Sequence, residues 1–198
     1  MTHSTSDTPP PRIVVMGVSG CGKSTVATLL AARLGVPYVD ADDLHPAANV
    51  ARMSAGIQLT DDDRAPWLDT VAAAIAAAPD GVVVACSALR RSYRDRLRAG
   101  APGTVVVHLD GTPELLAARI GARTDHFMPA SLLGTQLATL ESLADDEPGT
   151  VLDVTATPDE LADAAATWWR DHGSAPAIAQ ASGLAQVTET GANGRARP

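Results

Sequence analysis

The chain has 198 residues, 45 % of them apolar but only 3 % aromatic, and a formal charge of −8. This length suits one compact domain whose core is built from Leu, Val, Ile and Ala. The acidic balance and the lack of any basic block exclude a general nucleic-acid or anionic-membrane binder, and no run of 18 strongly apolar residues offers a membrane span.

Residues 1–11 are polar, end in Pro9-Pro10-Pro11 and read as a disordered lead-in. The folded domain is expected over 12–172, and 173–198, rich in Gly, Ala, Ser and Gln, reads as a flexible tail. Met1 to Asp7 lacks the basic and apolar regions of a signal peptide. Cys21 and Cys86 read as reduced thiols, which points to the cytoplasm.

Ile13-Val14-Val15-Met16 is the first predicted strand, and it feeds Gly17-Val18-Ser19-Gly20-Cys21-Gly22-Lys23-Ser24. The octet fits the phosphate-loop pattern G-x-x-x-x-G-K-[ST], and Lys23 is the only lysine of the chain. Its glycines let backbone N–H groups, with Val18, Ser19, Cys21 and Thr25 alongside, converge on phosphate oxygens. Lys23 can reach the β/γ-phosphates of ATP and Ser24 can ligate Mg²⁺. Helix formation is expected from Gly22, with Val26, Leu29, Leu30 and Leu34 on one face and Gly35 as a left-handed stop. With no second lysine there is no N-K-x-D guanine motif, which argues against a Ras-like GTPase, and at this size a small-molecule kinase fits better than a mechanical ATPase.

Val36 to Asp40 is the second predicted strand and ends in Asp40-Ala41-Asp42-Asp43-Leu44-His45. Carboxylates at the C-terminal ends of parallel strands face the ligand crevice. Asp40 is assigned to magnesium and Asp42 to the acceptor hydroxyl. Farther on, Arg64 can clamp an acceptor carboxylate, while Trp67 and Leu68 pack their helix on the core. The third strand, Val82 to Cys86, delivers Ser87 and Arg90 to the crevice edge as candidate substrate or phosphate ligands; Tyr93 and Leu97 read as packing residues.

Thr104 to Leu109 and Thr150 to Val154 complete five strands. All are β-branched and nearly continuous rather than alternating, the pattern of a parallel sheet covered on both faces. Thr112-Pro113-Glu114 signals a helix start, and Thr157-Pro158-Asp159-Glu160 a capping box. Arg119 and Arg123, four apart on a helix, are expected to neutralise the transferring phosphoryl group, Arg123 from a mobile lid that excludes water. His126 is a candidate for acceptor hydroxyls. The fold class is therefore a three-layer α/β/α P-loop kinase with a five-stranded parallel sheet and a mobile lid.

The blocks Met16 to Thr25, Asp40 to Pro46 with Asn49 and Met53, Leu59-Thr60-Asp61 with Asp63-Arg64 and Pro66-Trp67-Leu68, Cys86 to Leu89 with Tyr93-Arg94, and His126-Phe127-Met128 through Gln136 and Leu140-Glu141 occur in one order. Together they resemble bacterial gluconokinase of the P-loop type over about 13–170. The resemblance implies phosphorylation of D-gluconate at its 6-hydroxyl by ATP with Mg²⁺, a homodimer and a lid. It also places His45, Arg64 and Gln136 with the acceptor and Arg119 and Arg123 over the nucleotide. The chain departs from the usual pattern at Ala41, Arg52, Gln58, Asp125 and Thr135. A shikimate-kinase-like enzyme, a nucleoside or nucleotide kinase, and a nucleotide-binding regulator without turnover are the alternatives.

Overall fold

The computed structural model describes residues 9–122 and 130–173. Five strands form one parallel sheet in the order β2-β3-β1-β4-β5. They are β1 (Arg12–Met16), β2 (Tyr38–Asp40), β3 (Val82–Ala85), β4 (Val105–Asp110) and β5 (Gly149–Asp153). The helices are α1 (Lys23–Leu34), α2 (Ala47–Ser54), α3 (Asp61–Ala76), α4 (Arg91–Gly100), α5 (Pro113–Gly121), α6 (Ala130–Thr139) and α7 (Pro158–His172), with a 3-10 turn at Ala41–Leu44. Val14 of β1 pairs with Val84 on one side and Val106 on the other, so β1 is the centre of the sheet. The carbonyl of Pro11, just ahead of β1, accepts from Val82 N at 2.7 Å.

Alternate residues of the central strands serve two cores. Ile13, Val15, Val83 and Val107 face α1 and α7, with Leu30 and Trp169. Val14, Met16, Val84 and Val106 face α3 and α4, with Trp67, Leu68 and Leu97. The three-layer expectation holds, and apolar burial on both faces is its driving force. The expectation that all five strands are covered does not hold. β2 and β5 are edge strands, half-buried along most of their length, and Val151 is 49 % exposed. An edge strand has one neighbour fewer and overhangs its covering helices, which strand composition does not reveal.

Local signals set the helix ends. Gly35 closes α1 at φ 67°. Thr112 caps α5 by accepting from Leu115 N, and Thr157 with Glu160 forms the capping box of α7. A second capping box, Thr60 with Asp63, opens α3 and was not read from the sequence; its signal was T-x-x-D, the shorter acid doing the work of glutamate.

Candidate active site

The phosphate loop lies between β1 and α1, at the centre of the sheet's C-terminal edge, where strand order brings the largest number of loops together. Gly17, at φ 144°, has no room for a side chain: a Cβ would stand 2.7 Å from the Leu109 carbonyl oxygen and 2.8 Å from Cys21 Sγ. Close packing on β4, not ligand crowding, demands this glycine. Gly22, at φ 95°, caps α1 without a side chain, leaving the helix N-terminus open to an anion. Lys23 Nζ donates to the Val18 carbonyl at 3.0 Å, folded over its own loop. Cys21 is buried.

Beside the loop, Ser24 Oγ donates to Asp40 Oδ2 at 3.3 Å. The Tyr38 hydroxyl donates to the same oxygen at 2.9 Å, and Asp42 N donates to Asp40 Oδ1 at 3.1 Å. Burial, the largest cause, pushes Tyr38 up to about 12, with Ser24 opposing and Asp40 adding to the rise. Tyr38 therefore stays a donor and holds the Asp40 carboxylate toward Ser24; sequence reasoning missed it. Ser24 in the first turn of α1 and Asp40 at the end of β2 are oxygen donors that would suit Mg²⁺ beside a phosphate. Among the described residues no group of three or more His, Cys, Asp or Glu is arranged to hold a metal ion.

Solvent reaches Asp42, yet the surrounding walls crowd it. Burial and then the Asp40 charge raise its pKa, while Lys23 and His45 pull it down. His45 stacks on Trp67 with ring centroids 4.2 Å apart. Burial lowers the His45 pKa, the Asp42 charge opposes, and Arg64 lowers it further. His45 is thus a neutral ring at pH 7, within electrostatic reach of Asp42 and Arg64. Trp67 is locked by its indole N–H, which donates to the Ala41 carbonyl at 2.7 Å.

Arg64 Nη1 donates to the Leu59 carbonyl at 2.6 Å. Arg90 reaches across to Asp61, and both guanidiniums lie 5.8 Å from the Tyr93 ring centre. Tyr93 thus does more than pack: it is the platform between the two arginines. Ser87 is half-buried, and its carbonyl accepts from Gly17 N at 3.4 Å, joining the loop after β3 to the phosphate loop.

Two of the expected site residues make defined contacts. Gln136 Oε1 accepts from Ser19 N at 2.6 Å, so its carboxamide sits on the phosphate loop. Arg119 is expected at the transferring phosphoryl group and at the nucleotide. Its Nη2 donates to the Val154 carbonyl at 2.6 Å, and it lines a cleft of about 260 Å³ with Gly22, Thr25, Ala156, Pro158 and Leu161. Gly20 and Cys21 line the same cleft, so it opens directly from the phosphate loop toward α7. Arg123, His126 and most of the expected lid lie outside the described residues.

Below the acceptor side, Arg94 is fully buried and paired with Glu147 through bonds of 2.7 and 2.6 Å. It also donates to the carbonyls of Ala88 and Glu141. Ala88 carries φ 41°, a costly conformation for alanine. Arg94 therefore fixes the turn that leads from Ser87 to Arg90. Cys86, at the same strand end, is buried, and burial pushes its thiol up to about 12, so it is no nucleophile. Cys21 and Cys86 are both free.

A phosphate loop at the centre of a five-stranded parallel sheet, with acidic and basic walls on one side, defines a P-loop phosphotransferase, and residues 13–143 match the AAA-domain family, to which the chain belongs. A gluconokinase of Gluconobacter oxydans (strain 621H) is 54 % identical over 140 residues, covering 69 % of this chain and 78 % of that protein. The thermosensitive gluconokinase of Escherichia coli (strain K12) is 42 % identical over 137 residues, covering 68 % and 73 %. The crystal structure of a gluconokinase from Sinorhizobium meliloti 1021 aligns with a TM-score of 0.76 at 48 % identity, covering 82 % of this chain and 94 % of that one. The chain is a member of the gluconokinase family.

Proposed function

We propose that the protein is an ATP-dependent gluconokinase, transferring the γ-phosphoryl group of MgATP to the 6-hydroxyl of D-gluconate. The observation that carries this reading is the continuity of one wall. It runs from Ser24 bonded to Asp40, through Asp42 and His45, to Arg64.

Lys23 and the loop amides hold the β- and γ-phosphates. Ser24 and Asp40 are the protein ligands of Mg²⁺, which when bound offsets charge on the phosphate oxygens. The cleft under Arg119, Ala156 and Pro158 takes the nucleoside end of ATP. Arg64 and Arg90 take the acceptor carboxylate, which turns the far hydroxyl toward the phosphate loop. Asp42 accepts the hydroxyl proton as the new O–P bond forms and the bond from γ-phosphorus to the bridging oxygen breaks, releasing ADP. Arg123 neutralises the transferring group from the lid, and His126 contacts acceptor hydroxyls. The kinase domain spans 12–172 between a lead-in and a tail, and works as a cytoplasmic homodimer. No helix among the described residues is long and apolar enough to cross a membrane.

The test is ADP release by purified protein with MgATP and D-gluconate, shikimate, other sugar acids, nucleosides or no acceptor, with product mass checked. Stoichiometric 6-phosphogluconate is expected only with gluconate. Turnover with another acceptor alone would overturn the substrate, and ATP binding without turnover on any would favour a regulator.

A further inference from the structure

Asp61 opens α3 three residues before Arg64. Its side chain is 58 % exposed, yet two donors and a second guanidinium converge on it. Arg90 Nη1 donates to Oδ2 at 2.6 Å, the Tyr93 hydroxyl donates to Oδ1 at 2.5 Å, and Arg64 Nη1 stands 3.9 Å from Oδ1. Burial and then the bond to Asp61 raise the Tyr93 pKa, so the phenol remains a donor at neutral pH. The end of the helix does not need this carboxylate as a cap, because Thr60 and Asp63 already form the capping box. Two guanidiniums and a phenol around one carboxylate make a carboxylate pocket, filled by an acid of the protein itself.

We propose that Asp61 is the resident counter-ion of the acceptor-carboxylate pocket, and that an acid enters by displacing it. The inference rests on reading Arg64 and Arg90 as acceptor-binding residues. Asp61 suits displacement because it already meets water, so its release costs little desolvation. Exchange of one carboxylate for another is nearly balanced, so a short acid gains little by entering. An acid whose hydroxyls also reach Asp42 and His45 gains the extra contacts and wins the exchange. A neutral polyol leaves Asp61 paired and gains nothing from the arginines. Asp61 therefore lowers affinity for every carboxylate and raises selectivity for a long hydroxy acid.

The test compares the full-length wild type with Asp61→Asn, and with Asp62→Asn as a control for the same change in net charge. Acetate, as a probe of the carboxylate alone, and D-gluconate are titrated calorimetrically at fixed ionic strength, and acetate is tested as an inhibitor competitive with gluconate. Asp61→Asn is expected to bind both acids about three- to tenfold more tightly, to lower the acetate inhibition constant by the same factor, and to narrow the gluconate-to-acetate ratio. Asp62→Asn is expected to change each by less than about twofold. Unchanged or weaker acid binding in Asp61→Asn, or an equal gain in Asp62→Asn, overturns the proposal. If the wild type neither binds nor phosphorylates gluconate, the substrate reading fails by itself, and the acetate comparison still decides the role of Asp61.

Discussion

Gln136 Oε1 lies 2.6 Å from Ser19 N, so a side chain of α6 accepts a backbone hydrogen bond from the phosphate loop across 117 residues of sequence. The contact ties the helix that follows segment 123–129 to the loop that would hold phosphate. A carboxylate at this position would still accept from Ser19, but would set a negative charge against an anionic ligand. At an effective dielectric of about 20, like charges a few ångströms apart repel by roughly 2–4 kcal/mol. Gln136→Glu is therefore expected to weaken ATP binding at least about tenfold, measured by calorimetry, while the thermal midpoint without nucleotide stays within a few degrees. Undiminished ATP affinity would mean that the carboxamide turns away from bound phosphate.

Asp42 carries a pKa raised by burial first and by Asp40 second. If it accepts the hydroxyl proton, the active form is the carboxylate. Activity then falls as pH drops through a value above the ordinary aspartate 3.8. The acid limb of kcat/KM for gluconate should lie above that value, and Asp42→Asn should remove the limb and lower kcat about 100-fold or more, with ATP affinity kept. A variant that retains most of its kcat would take the proton-accepting role from Asp42.

Arg119 separates two roles by kinetics. Its bond to the Val154 carbonyl and its place on the cleft wall favour a role in nucleotide binding. Arg119→Met should then raise KM for ATP about tenfold with kcat nearly unchanged, the signature of lost uniform binding. An equal fall in kcat and kcat/KM would instead return Arg119 to the transferring phosphoryl group.

What could be read from the sequence was whatever lies contiguous in it. The phosphate loop, the Asp40–Asp42 pair and the Thr157 capping box each declare their chemistry within a few residues. Arg94 is marked only as part of a family block, and its burial is invisible there because its partner Glu147 lies 53 positions away. Tyr38 looked like an ordinary strand aromatic until the fold set its hydroxyl on Asp40. The cleft beside Arg119 is assembled from the phosphate loop and start of α1, the end of α5, and the β5–α7 turn with the start of α7. The motif marks its first wall; the other two are signalled only by position, since loops at the C-terminal edge of a parallel sheet gather round the ligand. Gln136 belongs to a family block, but spacing carries no information on its bond to Ser19 in the phosphate loop.

The Arg94–Glu147 pair makes the last prediction one of stability. Burial works to raise the Glu147 pKa, but hydrogen bonds from Arg94 and then Arg98 more than offset it, and the carboxyl is held down at about 2 against an ordinary 4.5. A carboxylate with a depressed folded pKa stabilises the fold above its unfolded pKa, and this contribution is lost as pH falls from about 4.5 to about 2. Glu147→Gln should therefore flatten the dependence of unfolding free energy on pH in that window, read from urea curves at several pH values. Arg94→Met should be more damaging at neutral pH. It leaves Glu147 with Arg98 and the Ala144 N–H, strips bonds from the carbonyls of Ala88 and Glu141, and frees the strained Ala88 turn. A loss of about 3–5 kcal/mol is expected. Because that turn leads to Arg90, gluconate KM should rise in Arg94→Met even where the variant is fully folded, whereas KM for ATP should stay within about twofold. A variant that loses stability but keeps its gluconate KM would confine Arg94 to the core and free the acceptor wall from it.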